Sequence, residues 1–183
     1  MNKHFVTSAI IICQFQDDFK VLVLYHKKLN KWVIPGGHIE FDENPIEAVI
    51  REVNEETGLE CLDLVSFKNH INVCFSDSTP ILSPEWMTEE IIPGSKKEKG
   101  HIHIDLFYIM TTNNTNTVLN KKESKSIKWV SAKELHEIDA FESTKHYSNI
   151  VISLFRKKTP NLIYKSINSK GDIFDKKKES RVF

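Results

Sequence analysis

An α+β domain, with mixed strands and two substantial helices, is what this sequence predicts, and three observations predict it. Short β-branched and apolar runs of strand length recur between polar turns. Two other segments carry apolar residues at helical spacing. At 183 residues the chain suits one sizeable core with room for a tail, and no internal repeat divides it.

Residues 6–15 and 20–25 are apolar runs separated by Gln16-Asp17-Asp18, which is hairpin chemistry. After a turn at 27–31, the short stretch Trp32-Val33-Ile34 ends at Pro35-Gly36-Gly37. Residues 45–57 read as a helix, with Asn44 as N-cap, Pro45 at the first helical position and Gly58 just past the end. Strands are expected at 61–68 and 71–75. The long connection 79–100 carries three prolines and a Lys-Lys-Glu-Lys cluster, and Ser83-Pro84-Glu85 is a start signal for one short helix. Connections of this length are usually functional or mobile, so it serves a lid or a homodimer interface equally well. Residues 101–110 alternate strictly and read as a strand, as do 126–130. Ser131 with Glu134 makes a capping box for a short helix. Tyr147, Ile150, Val151, Leu154 and Phe155 then place an amphipathic helix at 143–157.

Twenty-five basic and 25 acidic residues give zero formal net charge, which argues against a dedicated nucleic-acid module and against an acidic disordered chain. Cys13, Cys61 and Cys74 never form Cys-x-x-Cys, so they read as small buried hydrophobes of a reducing compartment. No apolar run approaches the roughly 20 residues of a membrane span, and the run from Phe5 lacks a signal cleavage site. A cytoplasmic location is the expectation. After Pro160 the pattern fades: residues 157–183 hold eight basic side chains against three acidic ones, leaving +5 there and −5 elsewhere. The division is thus a domain at 1–158 and a basic tail at 159–183, read as a solvated, mobile end.

The chemistry lies between Gly37 and Leu59, GHIEFDENPIEAVIREVNEETGL. On a helical wheel Ile46, Val49, Ile50 and Val53 share the stripe that must face the core. Glu52, Glu55 and Glu56 share the adjoining stripe at i, i+3 and i+4, so their carboxylates can converge. Each like-charge pair costs a few tenths of a kcal/mol, a penalty that a divalent cation such as magnesium turns into binding. Arg51 precedes Glu55 by four residues, within reach of that carboxylate. Glu43 can interact with the helix N-terminal dipole. The Pro35-Gly36-Gly37 turn lets backbone approach closely and offers a carbonyl ligand or phosphate-binding N–H groups.

A glutamate-rich helix face alone is usually a solvated face. Here every defined position of Gly-x5-Glu-x7-Arg-Glu-U-x-Glu-Glu-x-Gly-U, with U bulky and aliphatic, is filled: Gly37, Glu43, Arg51, Glu52, Val53, Glu55, Glu56, Gly58 and Leu59. Chance gives such a window with probability on the order of 10⁻⁹. The sequence therefore resembles the Nudix (MutT-like) hydrolase family, over the box in detail and over residues 4–156 in element order. The resemblance implies a mixed sheet sandwiched between helices, the box forming loop–helix–loop. It implies magnesium or manganese as cofactor and hydrolysis of a nucleoside diphosphate linked to another group, by water attack on phosphorus. Carried over by position, Glu52 and Glu56 are the principal metal ligands, and Glu55 is a third ligand or the base. Arg51 orients a glutamate, the Gly37 carbonyl completes the shell and Glu43 supports the loop. Many members have a glycine where this chain has Asp42, a residue that tolerates left-handed backbone better than most. The base can instead come from a distant loop, where Glu89, Glu90 and Glu98 are candidates.

Two weaker signals remain. His101, His103 and Asp105 share one strand face, opposite Ile102, Ile104, Leu106 and Tyr108, and substrate contact, a satisfied polar face and a second metal site are open readings. Trp86 either stacks on a nucleobase or packs the loop onto the body. The expected partner is a small nucleotide-type molecule rather than nucleic acid or membrane. The alternative functions are a catalytically idle nucleotide sensor and an RNA 5′-end pyrophosphohydrolase, the latter allowed by the basic tail.

Overall fold

The computed structural model describes residues 1–68, 76–78, 80–94, 99–157, 160–167 and 173–175. The N-terminal part of the chain forms strands β1 (Lys3–Phe15), β2 (Asp18–His26), β3 (Lys31–Val33) and β4 (Gly36–His38), then helix α1 (Pro45–Thr57) and strand β5 (Leu62–Ser66). Strands β6 (Trp86–Ile92), β7 (His101–Thr111) and β8 (Ser124–Val130) follow. Helices α2 (Ala132–Glu137) and α3 (Glu142–Lys157) precede β9 (Asn161–Ile167) and β10 (Ile173–Asp175).

The trunk of the sheet is the parallel pair β1–β7, in register from Lys3↔Ile102 to Ile12↔Thr111. Each outer edge of that trunk is shared by two strands. Along β1, β4 occupies residues 6–8 and β2 residues 12–15. Along β7, β6 occupies residues 101–107 and β5 residues 109–111. In the gap between β4 and β2, the Ala9 N–H donates to the Pro35 carbonyl at 2.8 Å, which bridges the point where the sheet divides. Strands β3 and β8 extend the sheet from β2, and β9 and β10 extend it from β5.

Strand alternation sends apolar side chains to both faces, and each face takes a helical layer. Ala9, Ile11, Leu22, Tyr108 and Met110 meet Val49, Ile50 and Val53 of α1. Ile10, Ile12, Val21, Val23 and Ile109 meet Leu135 of α2 and Val151 and Ile152 of α3. Burying each such aliphatic side chain contributes roughly 1.5–3 kcal/mol, which anchors both layers to the trunk. The α+β sandwich expected from the sequence is the observed one. Among the described residues, no helix is long and apolar enough to cross a membrane.

Several local expectations change. The helix anticipated from Ser83-Pro84-Glu85 is instead β6, drawn into pairing by the open edge of β7. Glu85 anchors its start: buried, it accepts from Ser66 Oγ and the Phe67 N–H, both at 2.6 Å. Strand β4 is too short to carry a pattern of its own. Residues 161–167 and 173–175, read as part of a mobile tail, continue the sheet because β5 presents an edge with unpaired backbone groups. Cys13 is buried, but Cys61 is exposed, in left-handed backbone (φ 56°) just before β5. The strand expected at 71–75, Cys74 and Glu98 lie outside the described residues.

Candidate active site

Helix α1 is set in place by its caps. Asn44 Oδ1 accepts from the Ile46 and Glu47 N–H groups at 2.9 and 3.2 Å, and Glu47 Oε2 accepts from the Asn44 N–H at 2.8 Å. This capping box, with Pro45 at the first turn, fixes where the helix begins. Gly58 ends it with φ 65°, donating its N–H to the Asn54 carbonyl at 2.8 Å. Asp42 needs no left-handed backbone, since among the described residues the positive-φ positions other than glycine are Gln16, Asn30 and Cys61.

The loop ahead of the helix is held by Arg51. Its Nε donates to Glu43 Oε1 at 2.6 Å, its Nη2 to Glu43 Oε2 at 2.9 Å and to the His38 carbonyl at 3.0 Å, and its Nη1 to Glu52 Oε1 at 2.8 Å. This bidentate ion pair holds the Glu43 carboxyl below the usual carboxylate range. The i,i+4 partner expected for Arg51, Glu55, is the more distant one at 3.7 Å, and its side chain is 55% exposed. The guanidinium turns back toward the loop because Glu43 and Glu52 offer closer, less solvated oxygens.

The three helix glutamates are thus unlike. Glu56 is buried at 5% exposure and accepts from the Gly36 N–H at 3.0 Å. Burial pushes its carboxyl up to about 8, and the charges of Glu52, Glu123 and Glu55 push the same way. Burial also raises the Glu52 carboxyl, while Arg51 opposes the rise. Glu55 sits at the rim. Gly37 presses so close that a Cβ there would lie 2.3 Å from Glu52 Oε1, so a side chain at this position displaces that carboxylate. An all-oxygen donor set with more carboxylates than its one guanidinium offsets suits a hard divalent ion, and these residues fit one.

Glu123 is the acid that the sequence reading missed. Its charge acts on both Glu52 and Glu56. The segment carrying it docks on the end of α1: the Val118 N–H donates to the Thr57 carbonyl at 2.7 Å and the Asn120 N–H to the Glu56 carbonyl at 3.2 Å. The Lys27 N–H donates to the Glu123 carbonyl at 2.9 Å and fixes the turn from the β2 side. No local pattern marks this residue, since 67 positions separate it from Glu56. Glu89 instead pairs with Lys3 at 2.7 Å, and Glu90 stands opposite His103 in the β6–β7 ladder.

His101, His103 and Asp105 lie on the sheet face away from α1, together with Thr88 and Glu90. This face is not a solvated one. His101 is 7% and Asp105 6% exposed, and burial drives the Asp105 carboxyl up to about 7 although Ser8 Oγ donates to it at 2.8 Å. Asp105 Oδ1 and Thr88 Oγ1, at paired positions in the ladder, are buried with no hydrogen-bond partner among the described residues. Trp86 shares the face, but its ring lies 5.0 Å from that of Tyr147 of α3, the packing arrangement.

A mixed sheet thus lies between two helical layers, and a glutamate-bearing helix is gripped by its own preceding loop in a loop–helix–loop arrangement. The family model described as the NUDIX domain matches residues 3–149, and the chain belongs to that family. A solved hydrolase of the NUDIX family from Clostridium perfringens is 31% identical, covers 85% of this chain and 99% of its own, and superposes with a TM-score of 0.65. An uncharacterized Nudix hydrolase of Bacillus subtilis is 39% identical over 75 residues, 41% of this chain and 46% of that protein. A protein of Lactococcus lactis named as a probable DHNTP pyrophosphohydrolase is 29% identical over 98 residues, 52% of this chain and 48% of its own. The matched stretches span less than half the length of these two curated relatives.

Proposed function

We propose that this chain is a magnesium- or manganese-dependent pyrophosphohydrolase that cleaves a nucleoside diphosphate linked to another moiety. The observation that carries the reading is the pair Glu52 and Glu56, two largely buried carboxylates kept in one wall against glycine backbone. Such a pair destabilises the fold unless a cation compensates it.

Glu52 and Glu56 are the residues that hold the ion, with Glu55 at the rim and the Gly37 carbonyl within the same cradle. A bound ion there supplies Lewis acidity toward phosphate oxygens and the attacking water. Arg51 opposes the burial-driven rise of the Glu52 carboxyl and locks the loop through Glu43. Glu55 and Glu123 are the solvent-reachable carboxylates beside the pair, and one of them takes the proton from the attacking water. Asp105, His101 and His103, the substrate contacts expected from the sequence, lie on the sheet face away from α1 and take no part in holding this ion. The relative named as a pyrophosphohydrolase supports the reaction class.

The test is incubation with magnesium, or separately manganese, and a panel of nucleoside triphosphates, dinucleoside polyphosphates, nucleotide sugars and capped RNA, with products resolved by mass. Cleavage of one compound well above the others, lost in the Glu52→Gln/Glu56→Gln double variant, is the expected result. Tight nucleotide binding without turnover would instead make the chain a sensor.

A further inference from the structure

Four histidines drawn from three strands meet on the sheet face away from α1. His4 stands opposite His103 in the β1–β7 ladder, and His38 of β4 pairs with Val6, two residues along β1 from His4. His101 lies two residues from His103 on the same face. One ligand nitrogen from each of the four lies within 4.8 Å of the other three. The His4 ring stacks on His101 at 4.7 Å, and His38 meets His103 edge-on at 5.0 Å.

The ring nitrogens are arranged as ligands are. His101 Nε2 and His103 Nε2 are 2.9 Å apart, so at most one proton lies between them and one lone pair already points into the cluster. The other nitrogen of His101, Nδ1, is 3.3 Å from the Lys99 carbonyl. That is the kind of outer contact that selects the tautomer with an unprotonated Nε2 and aims the ring of a metal-bound histidine. Around a zinc ion with bonds of about 2.0–2.1 Å, tetrahedral ligand nitrogens are about 3.3–3.4 Å apart. The His101–His103 pair, at 2.9 Å, needs to open by roughly half an ångström to reach that edge. The widest pair must close from at most 4.8 Å, and His38 is exposed on a short strand.

We propose that His4, His38, His101 and His103 form a second metal site, for a borderline-soft divalent ion of the zinc class. The donor chemistry separates it from the carboxylate site: imidazole suits zinc, copper and nickel, whereas magnesium prefers oxygen and is no competitor here. The two sites are also on opposite faces of the sheet. In β4, His38 turns to the histidine face and Gly37 to Glu52. An ion on the histidines ties β4 to β1 and β7 and so braces the strand that carries Gly36 and Gly37. The site does not rest on the hydrolase reading, because it uses none of the helix glutamates.

The experiment uses full-length protein carrying no histidine tag, loaded with zinc and dialysed against magnesium buffer, followed by metal analysis. One zinc per chain is expected to remain. It should survive Glu52→Gln/Glu56→Gln and be lost in His101→Ala/His103→Ala. Cobalt in place of zinc should give the intense visible bands of a four-coordinate ion, displaced by added zinc. The exposed His38→Asn variant, melting in EDTA as the wild type does, should bind zinc about 10–100-fold more weakly, which separates ligand loss from misfolding. Zinc should also raise the melting temperature of the wild type and not that of the histidine variants. Zinc lost on dialysis, retained equally by the histidine variants, or lost with the glutamates would overturn the proposal. Loss of turnover with zinc retention intact would overturn only the hydrolase reading.

Discussion

Arg51 grips Glu43 through two N–H groups, Nε at 2.6 Å and Nη2 at 2.9 Å, across eight residues of chain. The same guanidinium reaches the His38 carbonyl and Glu52, so one side chain joins the loop, the edge strand β4 and the helix. Arg51→Lys removes the fork and keeps the charge, and a lysine cannot make these contacts together. The expected result is a loss of about 1–3 kcal/mol in urea unfolding, with turnover falling at least about tenfold. An unchanged urea midpoint would show that the loop is held by other means.

Gly37→Ala places a methyl group 2.3 Å from Glu52 Oε1, so that carboxylate must move. Turnover should drop by about two orders of magnitude, since displacement of a positioning group by an ångström costs that much. Manganese affinity, followed by electron paramagnetic resonance, should weaken in parallel. Wild-type affinity in this variant would remove Glu52 from the ion site.

Glu123→Gln separates a distant acid from a bystander. Its charge bears on both Glu52 and Glu56, whereas Glu89 is engaged with Lys3 on an exposed edge. Loss of Glu123 should lower turnover by roughly 10²–10⁴-fold if it is the base and by less if it only adds charge, with the melting temperature maintained. Glu89→Gln should leave turnover as it is, and a fall there equal to that of Glu123→Gln would return the base to β6.

Asp105 gives the pH dependence. Its folded carboxyl titrates near about 7 against an ordinary 3.8, mainly through burial, so the folded state holds the proton more tightly than the unfolded chain. The stability this provides is complete below the unfolded value and disappears as pH rises through the folded one. Asp105→Asn cannot ionise and keeps an acceptor for Ser8. It should match the wild type near about pH 4 and exceed it above about pH 7, by an amount on the order of 2–4 kcal/mol, in urea midpoints across that range. A constant difference at every pH would mean that Asp105 does not titrate between the two states.

What could be read from the sequence was whatever neighbouring residues decide among themselves. Helix α1 has its observed limits because Asn44, Pro45 and Gly58 act within a turn of its ends, and its buried face follows from a period of 3.6 residues. The strict alternation of 101–110 likewise placed His101, His103 and Asp105 on one face. The tertiary structure alone decided what those faces meet. Glu123 reaches the glutamates because residues 118–124 dock on the end of α1, and β6 is a strand because β7 has an edge to fill. Arg51 prefers Glu43 to its helical neighbour because the folded loop brings a less solvated carboxylate closer. The histidines of β1, β4 and β7 converge only when three strands far apart in the chain are in register. Local spacing governs torsions and periodicity, but the partners of a side chain are chosen by non-local packing and by which charges that packing withdraws from water.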